Sequence, residues 1–167
     1  TAGATQALTT IILSCVQRGD EVIILEPAYD SYIPSIQLAG GVSILVSMHY
    51  QRDRFTIDWQ KLKDSISHKT RMILINSPHN PTGACLNEED LDTLAELVRD
   101  TNIIILSDEV YEHMVFDGQT HRSLAAHQEL SQRSFIVSSF GKTYHVTGWK
   151  VGYVLAPSEL MLEFRKV

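Results

Sequence analysis

Ile103-Ile104-Ile105-Leu106-Ser107-Asp108-Glu109-Val110-Tyr111 is a run of four aliphatic residues that turns polar at once. An unbroken aliphatic run is the pattern of a strand covered on both faces, as in a parallel sheet with helices above and below. Val22-Ile23-Ile24-Leu25 and Met72-Ile73-Leu74-Ile75 repeat it, Phe135-Ile136-Val137 is a shorter version, and Val42 to Val46 reads as a further strand. Helical stretches alternate with these runs. Ala7, Leu8, Ile11, Ile12 and Cys15 form one apolar stripe, and Ser31 to Ala39 is a second helix. Asp58 is placed to cap a third helix running to Ser67. Asn87 caps a fourth, with Glu88, Glu89 and Asp90 in its first turn and Leu91, Leu94, Ala95 and Val98 facing the core. Gln51-Arg52-Asp53-Arg54 reads as a solvated turn. This alternation predicts an α/β fold in three layers, α/β/α, around a mostly parallel sheet.

The 167 residues suffice for one core and are too few for two ordinary domains. With 44% hydrophobic and 20% charged residues the composition is globular. A net charge of −6 and the lack of any basic run argue against a nucleic-acid surface. No stretch is apolar enough for a bilayer span, so no membrane partner is expected. Cys15 and Cys85 are too few for a disulfide framework, which points to a reducing, cytoplasmic compartment. His113, His121 and His127 lack companions at metal-ligand spacing and read as surface or satisfied core groups. The chain opens inside a small-residue loop and closes in mid-helix, so it is expected to be the middle of a larger protein.

In parallel sheets the ligand site collects at the carboxyl ends of the strands. The unusual polar residues fall there: Tyr29, Asn76, Asn80, Asp108, Tyr111, Ser139 and Lys142. Asn76-Ser77-Pro78-His79-Asn80-Pro81-Thr82-Gly83 is a rigid turn that presents two asparagines, and its Asn80–Pro81 bond is expected to be cis. Asp108 is either a capping acid or a partner for buried positive charge. Thr1-Ala2-Gly3-Ala4-Thr5 lies at a helix N-terminus, where free N–H groups and the helix dipole favour an anion. Past Phe135-Ile136-Val137, the loop Ser138-Ser139-Phe140-Gly141-Lys142-Thr143-Tyr144-His145-Val146-Thr147-Gly148-Trp149-Lys150 carries two lysines before the apolar run Val151 to Ala156. Gly141-Lys142-Thr143 matches the last positions of a P-loop, but that motif needs glycine at position 136, which is Ile.

Asn80-Pro81-Thr82-Gly83, Asp108-Glu109-Val110-Tyr111 and Ser139-Phe140-Gly141-Lys142-Thr143, in this order, resemble the fold-type I pyridoxal-phosphate enzymes, above all the class I/II aminotransferases. Gly148-Trp149-Lys150, with Lys where many relatives have Arg, resembles the kynurenine, glutamine and methionine aminotransferase branch. The resemblance implies the fold of the family's large domain, with the last strand antiparallel. It implies pyridoxal 5′-phosphate as cofactor and Lys142 as the Schiff-base lysine that also moves the substrate's α-proton. Asp108 would hold the pyridine nitrogen protonated. A charge pair at about 4 Å and effective dielectric of about 20 is worth ~4 kcal/mol, enough to decide the ring's protonation. Tyr111 and Asn80 would bond the 3′-oxygen, and Tyr29 would stack on the ring. Ala4, Thr5, Ser139 and Lys150 would hold the phosphate, with Lys150 a looser grip than the forked Arg. Asn76 would help with substrate.

The same resemblance implies an amino group moved from an amino acid of methionine, glutamine or aromatic type to a 2-oxo acid. It makes residues 1–167 the large, cofactor-binding domain cut at both ends, with the small C-terminal domain and its carboxylate-binding arginine absent. The chain alone is then expected to be inactive, and the whole protein to be a homodimer. Two alternatives share the fold: a carbon–sulfur β-lyase, and the cofactor-sensing domain of a transcriptional regulator.

Overall fold

A computed structural model describes residues 1–167. The elements are α1 (Ala4–Cys15), β1 (Glu21–Glu26), α2 (Tyr32–Leu38), β2 (Val42–Ser47), β3 (His49–Gln51), β4 (Arg54–Thr56), α3 (Trp59–Asp64), β5 (Thr70–Asn76), α4 (Glu88–Val98), β6 (Ile104–Asp108), β7 (Ser134–Ser139), α5 (Phe140–Thr143), β8 (Gly152–Leu155) and α6 (Ser158–Phe164). Six strands form one sheet in the order β2-β1-β5-β6-β7-β8. Every pairing in it is parallel except β7 with β8, which is antiparallel. The chain steps from β1 outward to β2 and then returns to lay β5 on the other side of β1. That reversal of strand order opens a crevice at the strand ends, where ligands bind in sheets of this kind.

Successive side chains along a strand point to opposite faces. Val22, Ile24, Met72, Leu74, Ile104, Leu106, Phe135 and Val137 pack with α1 and α2, and Leu160 and Phe164 of α6 lean on the same cluster. Ile23, Leu25, Ile73, Ile75, Ile105 and Ile136 pack on the other face with Leu62 of α3 and with α4. Both faces are covered, which is why the central strands carry unbroken aliphatic runs. No helix is long and apolar enough to cross a membrane.

Two local expectations change, and a third gains detail. The solvated turn at 51–54 is the tip of a hairpin, β3–β4, with Arg52 and Asp53 both at positive φ. That is the geometry of a two-residue primed turn, usually written with Asn or Gly, so Arg-Asp hid it. The third helix stops at Asp64 instead of Ser67; the Asp58 carboxylate does cap it, accepting from Lys61 N–H. The stretch after Ser139 is not a loop but one helical turn, α5, followed by a 3-10 turn at Thr147–Trp149. Two more 3-10 turns, Leu124–Ala126 and Leu130–Arg133, bridge the region before β7. The Asn80–Pro81 bond is cis, as are Glu26–Pro27 and Ser77–Pro78.

Candidate functional site

A cleft of about 240 Å³ opens at the carboxyl ends of β1, β5, β6 and β7. Ala4, Thr5, Tyr29, Asn76, Asn80, Asp108, Tyr111, Ser139, Lys142 and Lys150 all line it. Every candidate residue read from the sequence therefore meets in one place. A larger groove of about 840 Å³ runs past the β3–β4 hairpin and the 79–87 turn. It contains no lysine and shares only Asn76 with the cleft, so it is not where the candidates converge.

Strand register explains the convergence. Asn76 stands opposite Asp108, so β5 and β6 end level, while Asp108 stands opposite Val137 and β7 runs two residues further to Ser139, which places all three strand ends at one edge. Asp108 shares the parity of Ile104 and Leu106 and points to the layer of α1 and α2. Ser107 and Glu109 point the other way: buried Glu109 accepts from the Ser107 hydroxyl at 2.8 Å and Leu124 N–H at 3.1 Å, and meets His121 Nε2 at 2.8 Å. Of two adjacent acids, only Asp108 reaches the cleft.

Asp108 is not a helix cap. Its Oδ2 accepts from the Tyr32 hydroxyl at 2.6 Å and its Oδ1 from Val110 N–H at 3.3 Å. No cation is paired with it. Burial pushes the carboxyl up to about 6, against the pull of Tyr32 and Val110. Burial, and then the nearby Asp108, also raise the Tyr111 phenol.

Lys142 is the third residue of α5, and its Nζ lies 5.9 Å from the centre of the Tyr111 ring. Gly141 beneath it needs its missing side chain, since a Cβ there would stand 3.0 Å from the Thr147 Cα. Lys150 adopts a left-handed backbone, φ 55°, and lies against Gly3 at the start of α1. No side chain caps α1, so the amides around Ala4 and Thr5 stay available to an anion. Thr5 Oγ1 and the Tyr29 hydroxyl are 3.4 Å apart, tying the anion end of the cleft to its aromatic wall. Neither Lys142 nor Lys150 has a carboxylate partner.

Asn76 lines the cleft with both ends of its amide engaged. Its Nδ2 donates to Asp108 O at 2.8 Å and its Oδ1 accepts from Asn80 N–H at 2.7 Å. It thus braces the β5 and β6 ends and the turn that carries Asn80, with one amide hydrogen left over. The residue that sequence reasoning missed is Tyr32, buried in the first turn of α2. It follows Tyr29 by three positions, the spacing that puts two side chains on one helix face, and that was its one available signal.

Comparison with known proteins gives a concordant picture. The family model described as aminotransferase class I and II matches residues 1–167. Methionine aminotransferase of Escherichia coli (strain K12) is 47% identical over 167 residues, all of this chain and 43% of that protein. The crystal structure of an Escherichia coli protein reported to have methionine aminotransferase function superposes with a TM-score of 0.96 at 46% identity, covering 100% of this chain and 44% of that one. Cystalysin of Treponema denticola, whose crystal structure contains pyridoxal 5′-phosphate, shares the fold at a TM-score of 0.94 and 24% identity, over 99% of this chain and 43% of that one. The chain spans less than half the length of the curated relatives it matches.

Proposed function

The chain belongs to the class I and II aminotransferases, and from that premise we propose that its protein moves an amino group from an amino acid to a 2-oxo acid. The donor proposed is of methionine, glutamine or aromatic type. The cofactor is pyridoxal phosphate, and the donor set of the cleft fits it. Two lysines without carboxylate partners and an uncapped helix start suit an aldehyde and a phosphate. A buried acid without a cation suits a ring nitrogen that can carry a proton.

When bound, the cofactor supplies an electron sink for the bond broken at the substrate's α-carbon. Lys142 Nζ would hold its aldehyde carbon and, once released, carry the α-proton from one carbon to another. Asp108 would keep the ring nitrogen protonated. Tyr111 and Asn80 would donate to the 3′-oxygen, and Tyr29 would cover the ring face. The amides around Ala4 and Thr5, the Ser139 hydroxyl and the Lys150 ammonium would take the phosphate. Asn76 would hold Asn80 and the β6 end in place for these contacts, and its remaining amide hydrogen would help with substrate.

The observation that carries the reading is that Lys142, Asp108, Tyr111 and Asn80, from three separate strand ends, line a single cleft. We further propose that residues 1–167 are the greater part of the large domain. A small C-terminal domain would bring the arginine that binds the substrate carboxylate, and the whole would act as a cytoplasmic homodimer. The test is to load the full-length protein with pyridoxal phosphate, reduce it with borohydride and map the adduct by mass spectrometry. An adduct on Lys142, absent from Lys142→Ala, is expected. An adduct on a different lysine, or none, would end the assignment.

A further inference from the structure

Tyr32 has no part in the chemistry just described, yet it is as buried as the acid it touches, 2% exposed against 3% for Asp108. Packing alone would be met by a phenylalanine. The hydroxyl spans 76 positions of sequence to reach Asp108 Oδ2 at 2.6 Å, a length typical of a bond to an ionised acceptor. The other donor to this carboxyl, Val110 N–H, is much longer at 3.3 Å. No ammonium or guanidinium shares the load. One neutral donor therefore carries most of the burden of a buried charge.

We propose that Tyr32 is a positioning residue, whose hydroxyl keeps Asp108 an oriented carboxylate facing the cleft, ready for the ring nitrogen of the cofactor. This rests on the function proposed above. A hydrogen bond to the charged form of an acid favours that form. With the bond in place the Asp108 carboxyl stands at about 6, ionised at neutral pH by only a narrow margin. Without it the carboxyl would rise through neutrality, and a neutral acid cannot hold the ring nitrogen protonated. Tyr32 does not compete for the charge. Burial first, and Asp108 second, push its phenol well above the ordinary tyrosine range, so it remains a donor throughout.

The local fold supports the assignment. Tyr32 N–H bonds back to Tyr29 O at 3.2 Å, and the two rings meet edge to face with centres 5.5 Å apart. One turn at the start of α2 thus delivers both an aromatic wall of the cleft and the donor for its acid.

The test uses the full-length protein and the shape-conserving Tyr32→Phe variant. In the cofactor-free protein, Asp108 is titrated by NMR of ¹³C-labelled aspartate, with Asp108→Asn assigning the signal. The midpoint is expected to rise by about 1–2 pH units in Tyr32→Phe, a tenfold or greater loss of carboxylate near neutral pH. In the loaded protein, ¹⁵N-labelled pyridoxal phosphate should give a protonated ring-nitrogen shift in the wild type, displaced toward neutral pyridine in the variant. A purely structural tyrosine would lower the melting temperature and move neither signal, and that result would overturn the proposal. Should the phenylalanine variant fail to fold, 3,5-difluorotyrosine at position 32 keeps the shape and strengthens the donor. The Asp108 midpoint should then fall, and an unmoved midpoint overturns the proposal equally. If the wild type takes up no pyridoxal phosphate, the proposed function fails, while the cofactor-free titration still decides whether Tyr32 governs Asp108.

Discussion

Asp108→Asn isolates what it costs to keep an acid in an apolar cleft before the cofactor arrives. In the cofactor-free protein the carboxyl is raised from 3.8 to about 6, chiefly by burial. The native state therefore takes up its proton at higher pH than the unfolded chain does. Between about pH 4 and pH 6 the native state holds more protons, so stability falls as pH rises through that window. About two pH units at 1.36 kcal/mol each give a penalty on the order of 3 kcal/mol, complete above pH 6 and gone below pH 4. Asparagine carries no charge and escapes the penalty. It offers only one oxygen, however, where the carboxylate serves both Tyr32 O–H and Val110 N–H. The lost acceptor returns about 1 kcal/mol of destabilisation. Asp108→Asn should thus be more stable than the wild type by about 2 kcal/mol at pH 8, and slightly less stable at pH 4. The assay is urea unfolding of the cofactor-free full-length protein from pH 4 to pH 8. The difference between the two proteins is the quantity to read, because His79 titrates in the same range with the opposite sign. Burial lowers its imidazole from 6.5 to about 4, so its contribution is lost as pH falls; His79 is common to both proteins and cancels. A difference independent of pH, or a less stable asparagine variant at pH 8, would refute the reasoning.

Gly152→Ala should cost about 1–3 kcal/mol in denaturant unfolding and weaken pyridoxal phosphate binding in an absorbance titration. Its Cβ would meet Gly3 C at 2.8 Å, Ala4 N at 3.0 Å and Ser138 O at 3.0 Å, all backbone atoms that no rotamer change can move aside. Lys150→Ala should weaken cofactor binding about tenfold to a hundredfold and flatten its salt dependence, with little change in unfolding, since this exposed ammonium has no protein partner to lose. Asn87→Ala should cost about 1 kcal/mol of stability through the lost bond from Asp90 N–H, 3.0 Å. It should leave cofactor binding unchanged, because α4 packs on the sheet face away from Asp108.

How much could be read in advance depends on how far each signal extends along the chain. The aliphatic runs of β1, β5 and β6 declared themselves because a strand covered on both faces has no polar position to spare. Asp108 stood out as a charge just past such a run, and Lys142 as one in the polar stretch that follows Phe135-Ile136-Val137. The α5 turn did not, because four residues show no periodicity. Its helical form comes from Tyr144 N–H bonding to Phe140 O, followed by the Val146 N–H bond to Gly141 O. The β3–β4 hairpin hid behind an Arg-Asp turn. The two contacts of the Asn76 amide, to Asp108 O and Asn80 N–H, left no local signal in the sequence.

The chain's own order of residues determined the class of fold, the strand ends that matter and the chemistry of the groups placed there, since those follow from local burial and composition. Only the packed molecule decided that Tyr32 of α2 bonds Asp108 of β6 and that Gly152 lies against Gly3. Those contacts join positions 76 and 149 residues apart, where nothing in the local sequence at either end specifies the other. The reversal of strand order between β1 and β5 and the clustering of the β5, β6 and β7 ends at one edge bring them together.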